Sequence, residues 1–172
     1  MKRNINIPNL LSTLRMLAAL PIWLLLTANQ PGWAFCVYLG ALATDFLDGW
    51  IAAHYNQGTK LGMLLDPWAD KVLHVTVMLL FLEKYPQLEL QIYISIALAM
   101  VLVGLASAKL YFRVKRQLGA NGFGKIKMCC EGFAIIALFL GYVTTGGILL
   151  WASIAFAVLS IVTHLLIREP SY

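Results

Sequence analysis

The chain is 172 residues long, 60% hydrophobic and 12% charged, with a mean hydropathy of +0.78 and a formal net charge of +5. So few polar residues cannot clothe a soluble globule of this size, and the basic excess comes with no nucleic-acid recognition motif, so both of those classes are excluded. Apolar runs near the roughly 20 residues needed to cross a bilayer recur at 10–26, 33–47, 61–82, 90–111, 128–143 and 148–167. None shows the period-2 alternation of a strand, and together they predict an all-α integral membrane protein of about six transmembrane helices in a single domain over 1–172.

At the amino end, Lys2 and Arg3 beside Ile5 and Ile7 predict a short interfacial helix on an anionic leaflet, and Pro8 with Asn9 turns into the first run. A signal peptide is the competing reading. Arg15 inside the run and the lack of a small-residue cleavage site favour a retained span. If this end is cytoplasmic, the inner ends collect Lys2, Arg3, Lys60, Arg113, Lys115, Arg116, Lys125, Lys127 and Arg168, while the outer turns keep only Lys84. That bias predicts both termini on the cytoplasmic side. The outer turns are expected at 28–32, 83–87 and 144–147, each rich in helix breakers.

The second and third runs carry the unusual chemistry. Asp45 and Asp48 are spaced i,i+3 and Asp66 and Asp70 i,i+4, so each pair shares one face of its helix. A carboxylate at the centre of a bilayer helix costs roughly 2.5–3.5 kcal/mol on the insertion scale, and four of them stay charged only if cations hold them. Oxygen-only donors suit Mg²⁺ or Mn²⁺, and no His or Cys is spaced for zinc. Gly49, Ala52 and Gly62 strip bulk from these faces or beside them and let two backbones approach. Cys36, the adjacent Cys129 and Cys130, and the lone His74 and His164 read as packed core residues of apolar helices.

Aspartate, two residues, aspartate-glycine, two residues, alanine, then a glycine, three residues, aspartate, three residues, aspartate: with this gap between its halves, Asp45 to Asp70 resembles the signature of the CDP-alcohol phosphotransferases. Those are membrane enzymes that move a phosphatidyl group from CDP-diacylglycerol, or a phosphobase from a CDP-alcohol, onto a hydroxyl and release CMP. The resemblance implies that Asp45, Asp48 and Asp66, joined at first by Asp70, hold two Mg²⁺ or Mn²⁺ ions and clamp the donor pyrophosphate. It further implies that Asp70 takes the proton from the acceptor hydroxyl, that Gly49, Ala52 and Gly62 admit the nucleotide, and that the enzyme is a homodimer. Pro8 to Ser12 with Arg15 resembles the family's amino-terminal pattern, which puts Asn9 and Arg15 near the nucleotide; a snorkelling interfacial arginine is the alternative reading. The chain departs from the signature at Ala53, where the family carries arginine, and His54 follows.

Beyond the fourth run, Lys109 to Gln117 reads either as the positive-inside end of a helix or as part of an anion pocket. Lys125 and Lys127 begin the next run, where a helix start attracts phosphate, and Glu131, one turn beyond Lys127, is placed to pair with it. Gly124 to Lys127 resembles the start of the corresponding helix in phosphatidylglycerophosphate synthases. Met128 departs from the threonine common there, and 103–106 lacks the arginine-acidic pair of those enzymes and of eukaryotic-type cardiolipin synthases. The collected charge of Arg113, Lys115, Lys125 and Lys127 suits a dianionic acceptor, so glycerol-3-phosphate is expected ahead of phosphatidylglycerol, serine, inositol or inositol phosphate. Two readings compete: a cation transporter, disfavoured because no polar path continues outward from the aspartates, and a catalytically inactive relative, motivated by Ala53.

Overall fold

The computed structural model describes residues 7–55, 60–111 and 122–166, with side chains described at 9–44, 47, 67–108 and 122–163. Among these residues there are six α-helices and no strand: α1 (Ile7–Thr27), α2 (Pro31–Tyr55), α3 (Lys60–Lys84), α4 (Glu89–Tyr111), α5 (Gly122–Phe139) and α6 (Val143–Leu166), with a short 3-10 turn at Pro86–Leu88. Each predicted run falls largely within one helix, though the fifth, 128–143, runs past the end of α5 through the turn at 140–142. The chain divides into two compact units, Met1–Lys84 and Tyr85–Tyr172.

In the first unit α1 packs against both α2 and α3. Its buried residues Asn9, Ser12, Arg15, Ala19 and Ile22 recur every three or four positions and form one stripe, while Leu10, Leu14, Leu17 and Leu24 are exposed on the other face. A water-soluble helix has the opposite arrangement. Polar groups inside and leucines outside is the distribution expected when lipid is the solvent. Small residues Ala34 and Ala41 flank Tyr38 on the buried stripe of α2, and Leu73, Val77 and Phe81 continue the core along α3.

The second unit is built around α6, which packs on α5 and α4. It too buries several polar residues within an apolar core and exposes large apolar ones. Lys127, Glu131, Ser95, Ser153 and Ser160 are buried, whereas Phe133, Ile148, Trp151 and Tyr142 are exposed. The phenol of Tyr85 donates to the carbonyl of Leu138 at 2.9 Å and ties the start of this unit to the end of α5. By length and composition, stretches 9–27, 86–108 and 143–163 can cross a membrane, and 31–44 is a shorter apolar helix.

Two helix ends share one device. After α1, Gln30 N–H bonds the Leu25 carbonyl at 2.8 Å and Asn29 N–H the Leu26 carbonyl at 3.0 Å, with Asn29 at φ 57°. After α5, Tyr142 N–H bonds the Ala137 carbonyl at 2.8 Å and Gly141 N–H the Leu138 carbonyl at 3.1 Å, with Gly141 at φ 83°. Both are Schellman caps with the left-handed residue that such a cap requires.

The second cap corrects the turn expected at 144–147, for the chain reverses at 140–142 and those four residues lie in the first turns of α6. Gly146 and Gly147 serve packing. A Cβ on Gly146 would come within 2.6 Å of Leu138 Cδ2, and one on Gly147 within 3.1 Å of Leu88. Cys36 and Cys129 are likewise exposed on the outer faces of their helices, and only Cys130 is half-buried.

Candidate metal and substrate site

Asp45, Asp48, Gly49 and Ala52 lie in the last three turns of α2, and Gly62, Asp66 and Asp70 in the first three of α3. Their mutual level follows from one contact. The Tyr38 hydroxyl of α2 stands 3.2 Å from His74 Nε2 of α3, both residues buried. Helices joined by four residues run antiparallel, so levels are counted from that contact along α2 and back along α3. At 1.5 Å per residue, Asp45 and Asp48 lie about 10 and 15 Å beyond it, and Asp70 and Asp66 about 6 and 12 Å. All four backbone positions therefore fall within roughly 9 Å along the pair.

Helix α1 reaches the same level from the other side. Its cap at 28–30 turns the chain directly into α2, so equal lengths of helix on either side place Asn9, Ser12 and Arg15 beside Gly49, Phe46 and Ala43. Arg15 is 1% exposed, and Ser12 and Asn9 are buried with it. An arginine that snorkels keeps its head in water; this one is inside the helix bundle.

Among the four aspartates only the side chain of Asp70 lies within the description. It is buried, and its Oδ2 accepts a hydrogen bond from Lys71 Nζ at 3.0 Å. Oδ1 faces His74 Nε2 at 3.6 Å, one helical turn on. That is longer than a hydrogen bond. Pro67, inside α3, supplies no N–H for the Met63 carbonyl.

The donor chemistry fits a hard divalent cation. Asp45, Asp48 and Asp66 offer oxygen donors at one level of a helix pair whose buried face also carries the carboxylate of Asp70. Such ions also resolve the charge problem, since only Lys71 and Arg15 accompany them as buried cations among the described residues of this unit. The side chains of Asp45, Asp48, Asp66 and Ala53 lie outside the described set. Arg113 and Lys115, assigned by sequence to the acceptor phosphate, lie outside the described residues altogether.

The two α5 lysines separate. Lys125 is exposed in the first turn. Lys127 is buried and paired with Glu131, the i,i+4 partner expected of it. Sequence reasoning missed Lys71 and Tyr38, but its reading of His74 as a hydrogen-bonded core residue agrees with a buried imidazole that meets the Tyr38 hydroxyl. The i,i+4 spacing of Asp70 and His74 was a usable signal for that pair, whereas the Tyr38 contact joins residues 36 apart in sequence and had none.

Comparison with known proteins agrees with this geometry. The model of the CDP-alcohol phosphatidyltransferase family matches residues 5–159. The chain is 34% identical over 148 residues to the CDP-diacylglycerol–glycerol-3-phosphate 3-phosphatidyltransferase of Rickettsia bellii, covering 82% of this chain and 78% of that protein. It is 38% identical over 87 residues to the enzyme of the same name from Pseudomonas fluorescens (48% of this chain, 44% of that one). To a candidate cardiolipin synthase of Mycobacterium tuberculosis it is 38% identical over 81 residues (46% and 38%). These last two matches span less than half the length of the relative. The chain, matched by the family model from residue 5 to residue 159, belongs to the CDP-alcohol phosphatidyltransferase family.

Proposed function

We propose that this protein transfers the phosphatidyl group of CDP-diacylglycerol to the hydroxyl of glycerol-3-phosphate, giving phosphatidylglycerophosphate and CMP. The observation that carries the reading is the polar interior of the first unit, where buried Asp70, Lys71 and Arg15 lie at or near the level of Asp45, Asp48 and Asp66. Two of the relatives bear the name of this reaction. In this reading the chain is one membrane domain of six spans, active as a homodimer, with the aspartates and both termini facing the cytoplasm.

Two bound Mg²⁺ or Mn²⁺ ions would neutralise the pyrophosphate and the departing CMP. Asp45, Asp48 and Asp66 would hold them. Asn9 and Arg15 of α1 bind the nucleotide end of the donor, and Gly49, Ala52 and Gly62 leave room for it against the backbone. The acceptor oxygen forms a bond to the phosphorus that carries diacylglycerol, the bond from that phosphorus to the CMP oxygen breaks, and the hydroxyl proton passes to Asp70. Lys125 and Lys127, with Arg113 and Lys115, are assigned to the acceptor phosphate on their charge and on the helix start that the two lysines occupy.

Purified protein given CDP-diacylglycerol, Mn²⁺ and, in separate arms, glycerol-3-phosphate, phosphatidylglycerol, serine and inositol tests this reading. Phosphatidylglycerophosphate as the favoured product supports it. Preference for another acceptor removes the acceptor assignment, and no CMP release in any arm removes the reaction.

A further inference from the structure

The register of α5 against α6 brings an unpaired hydroxyl to a buried ion pair. Gly146 of α6 lies against α5, where a Cβ would stand 2.6 Å from Leu138 Cδ2 and 3.5 Å from the Ala134 carbonyl oxygen. Seven residues make about two helical turns, so a position seven residues away returns to the same face. Seven back from Ala134 is Lys127, and seven on from Gly146 is Ser153. The chain reverses at 140–142, so α5 and α6 are antiparallel. Lys127 and Ser153 therefore lie on the faces that meet, at one level, about 10 Å beyond the Gly146 approach. The rings of Phe123 and Phe156, stacked at 6.5 Å, hold the same register from the other end.

This level is buried, with Ser153 at 0%, Lys127 at 2% and Glu131 at 1% exposure. Lys127 and Glu131 pair with each other and are the only buried charges among the described residues of the second unit. Ser153 Oγ has no hydrogen-bond partner among the described residues. A hydroxyl buried in that state is costly, and in folded proteins such groups are commonly met by ordered water. An ammonium offers several donors and a carboxylate several lone pairs, so the ion pair can take a further bond beside those it already makes. Its charges cancel, which favours a neutral ligand over an ion. Ser95 of α4 supplies the comparison, since it is 1% exposed and its Oγ also lacks a partner among the described residues. It lies seven residues on from Leu88, which meets Gly147, and so approaches a different side of α6 from the one that faces the ion pair.

We propose that Ser153 anchors an ordered water molecule that bridges its hydroxyl to the Lys127 and Glu131 pair across the α5 and α6 interface. A hydrated pair gives up less solvation than a dry one, and this lets two charges be held among Ala134, Ile135 and Leu138. The site stands apart from the proposed reaction. The rival arrangement is a Ser153 hydroxyl turned back onto the Leu149 carbonyl of its own helix, a bond that serine makes locally and that owes nothing to the ion pair.

The test uses the full chain in lipid nanodiscs, with a structure determined at a resolution that shows ordered water and with thermal unfolding of variants. Density is expected within about 2.5–3.2 Å of Ser153 Oγ and of Lys127 Nζ or a Glu131 carboxylate oxygen. Ser153→Ala should lower the unfolding temperature by about 2–4 °C, as loss of one hydrogen bond does in a chain of this size. Ser95→Ala should unfold at or above the temperature of the parent. In the background of Lys127→Met with Glu131→Gln, Ser153→Ala should lower it no further, because the bridge then has no far end. If that background does not fold, the density and the two single serine variants decide. Ser153 Oγ bonded directly to Lys127 or to the Leu149 carbonyl would overturn the site. So would Ser153→Ala unfolding at or above the parent, an equal fall in Ser95→Ala, or an undiminished effect of Ser153→Ala without the ion pair.

Discussion

An amide in place of a carboxylate keeps the shape and removes the charge, so substitutions at the four aspartates separate holding a metal from taking a proton. Asp45→Asn, Asp48→Asn and Asp66→Asn are expected to raise the Mn²⁺ concentration needed for half-maximal activity by an order of magnitude or more. Asp70→Asn should still bind CDP-diacylglycerol and lose turnover by roughly 10² to 10⁴, the usual contribution of a general base. Full CMP release by one of the first three at limiting Mn²⁺ would remove that residue from the ligand set. At α5 the two lysines are expected to behave differently because one is exposed and the other is buried against Glu131. Breaking a buried ion pair from one side costs about 3–5 kcal/mol, so Lys127→Met and Glu131→Gln should each lower the unfolding temperature, and the double variant should regain much of it. Lys125→Ala should instead leave stability unchanged and raise the acceptor KM roughly tenfold, as loss of a charge-assisted hydrogen bond does.

At the scale of elements, contacts decide what a glycine is for. Gly146→Ala drives a methyl against Leu138 and is expected to destabilise by about 1–3 kcal/mol, whereas Gly32→Ala meets nothing within 4 Å and should not. Equal unfolding temperatures for the two would contradict the close packing of α5 on α6. The same pair of glycines shows where sequence reasoning stopped. Gly146 and Gly147 read as a turn because glycine breaks helices in water, but in a membrane helix small residues bring neighbours together, and the turn formed at Gly141 instead. Helix extents were legible because each apolar run needs about 20 residues to cross lipid. The Asp70–His74 and Lys127–Glu131 contacts follow from i,i+4 spacing, and the carboxylate faces of α2 and α3 from the same rule. The Tyr38–His74 contact was not legible, because it depends on how two helices register, which no local pattern states. Cys36 and Cys129 were misread as core for a related reason: apolar neighbours identify the core only when the solvent is water.

In each unit the described residues expose large apolar side chains and bury several charged ones, the distribution expected of a protein solvated by lipid. The proposed orientation in it rests on the bias of Lys and Arg, and α5 offers a direct check because its two ends should open to opposite sides. With Cys36, Cys129 and Cys130 replaced by alanine, a cysteine at Tyr142 is expected to react with an impermeant maleimide from the outer side, and one at Phe123 only after the inner side is opened. Labelling of both from one side would contradict the six-span reading. The central claim, that the buried carboxylates run a phosphatidyl transfer, is tested most directly by incubating purified protein with glycerol-3-phosphate and CDP-diacylglycerol labelled in both its cytidine and its diacylglycerol. The account predicts one CMP released for each phosphatidylglycerophosphate formed, dependent on Mg²⁺ or Mn²⁺, stopped by a chelator and absent in Asp70→Asn. CMP release that persists undiminished in Asp70→Asn, or none above a protein-free control, would contradict it.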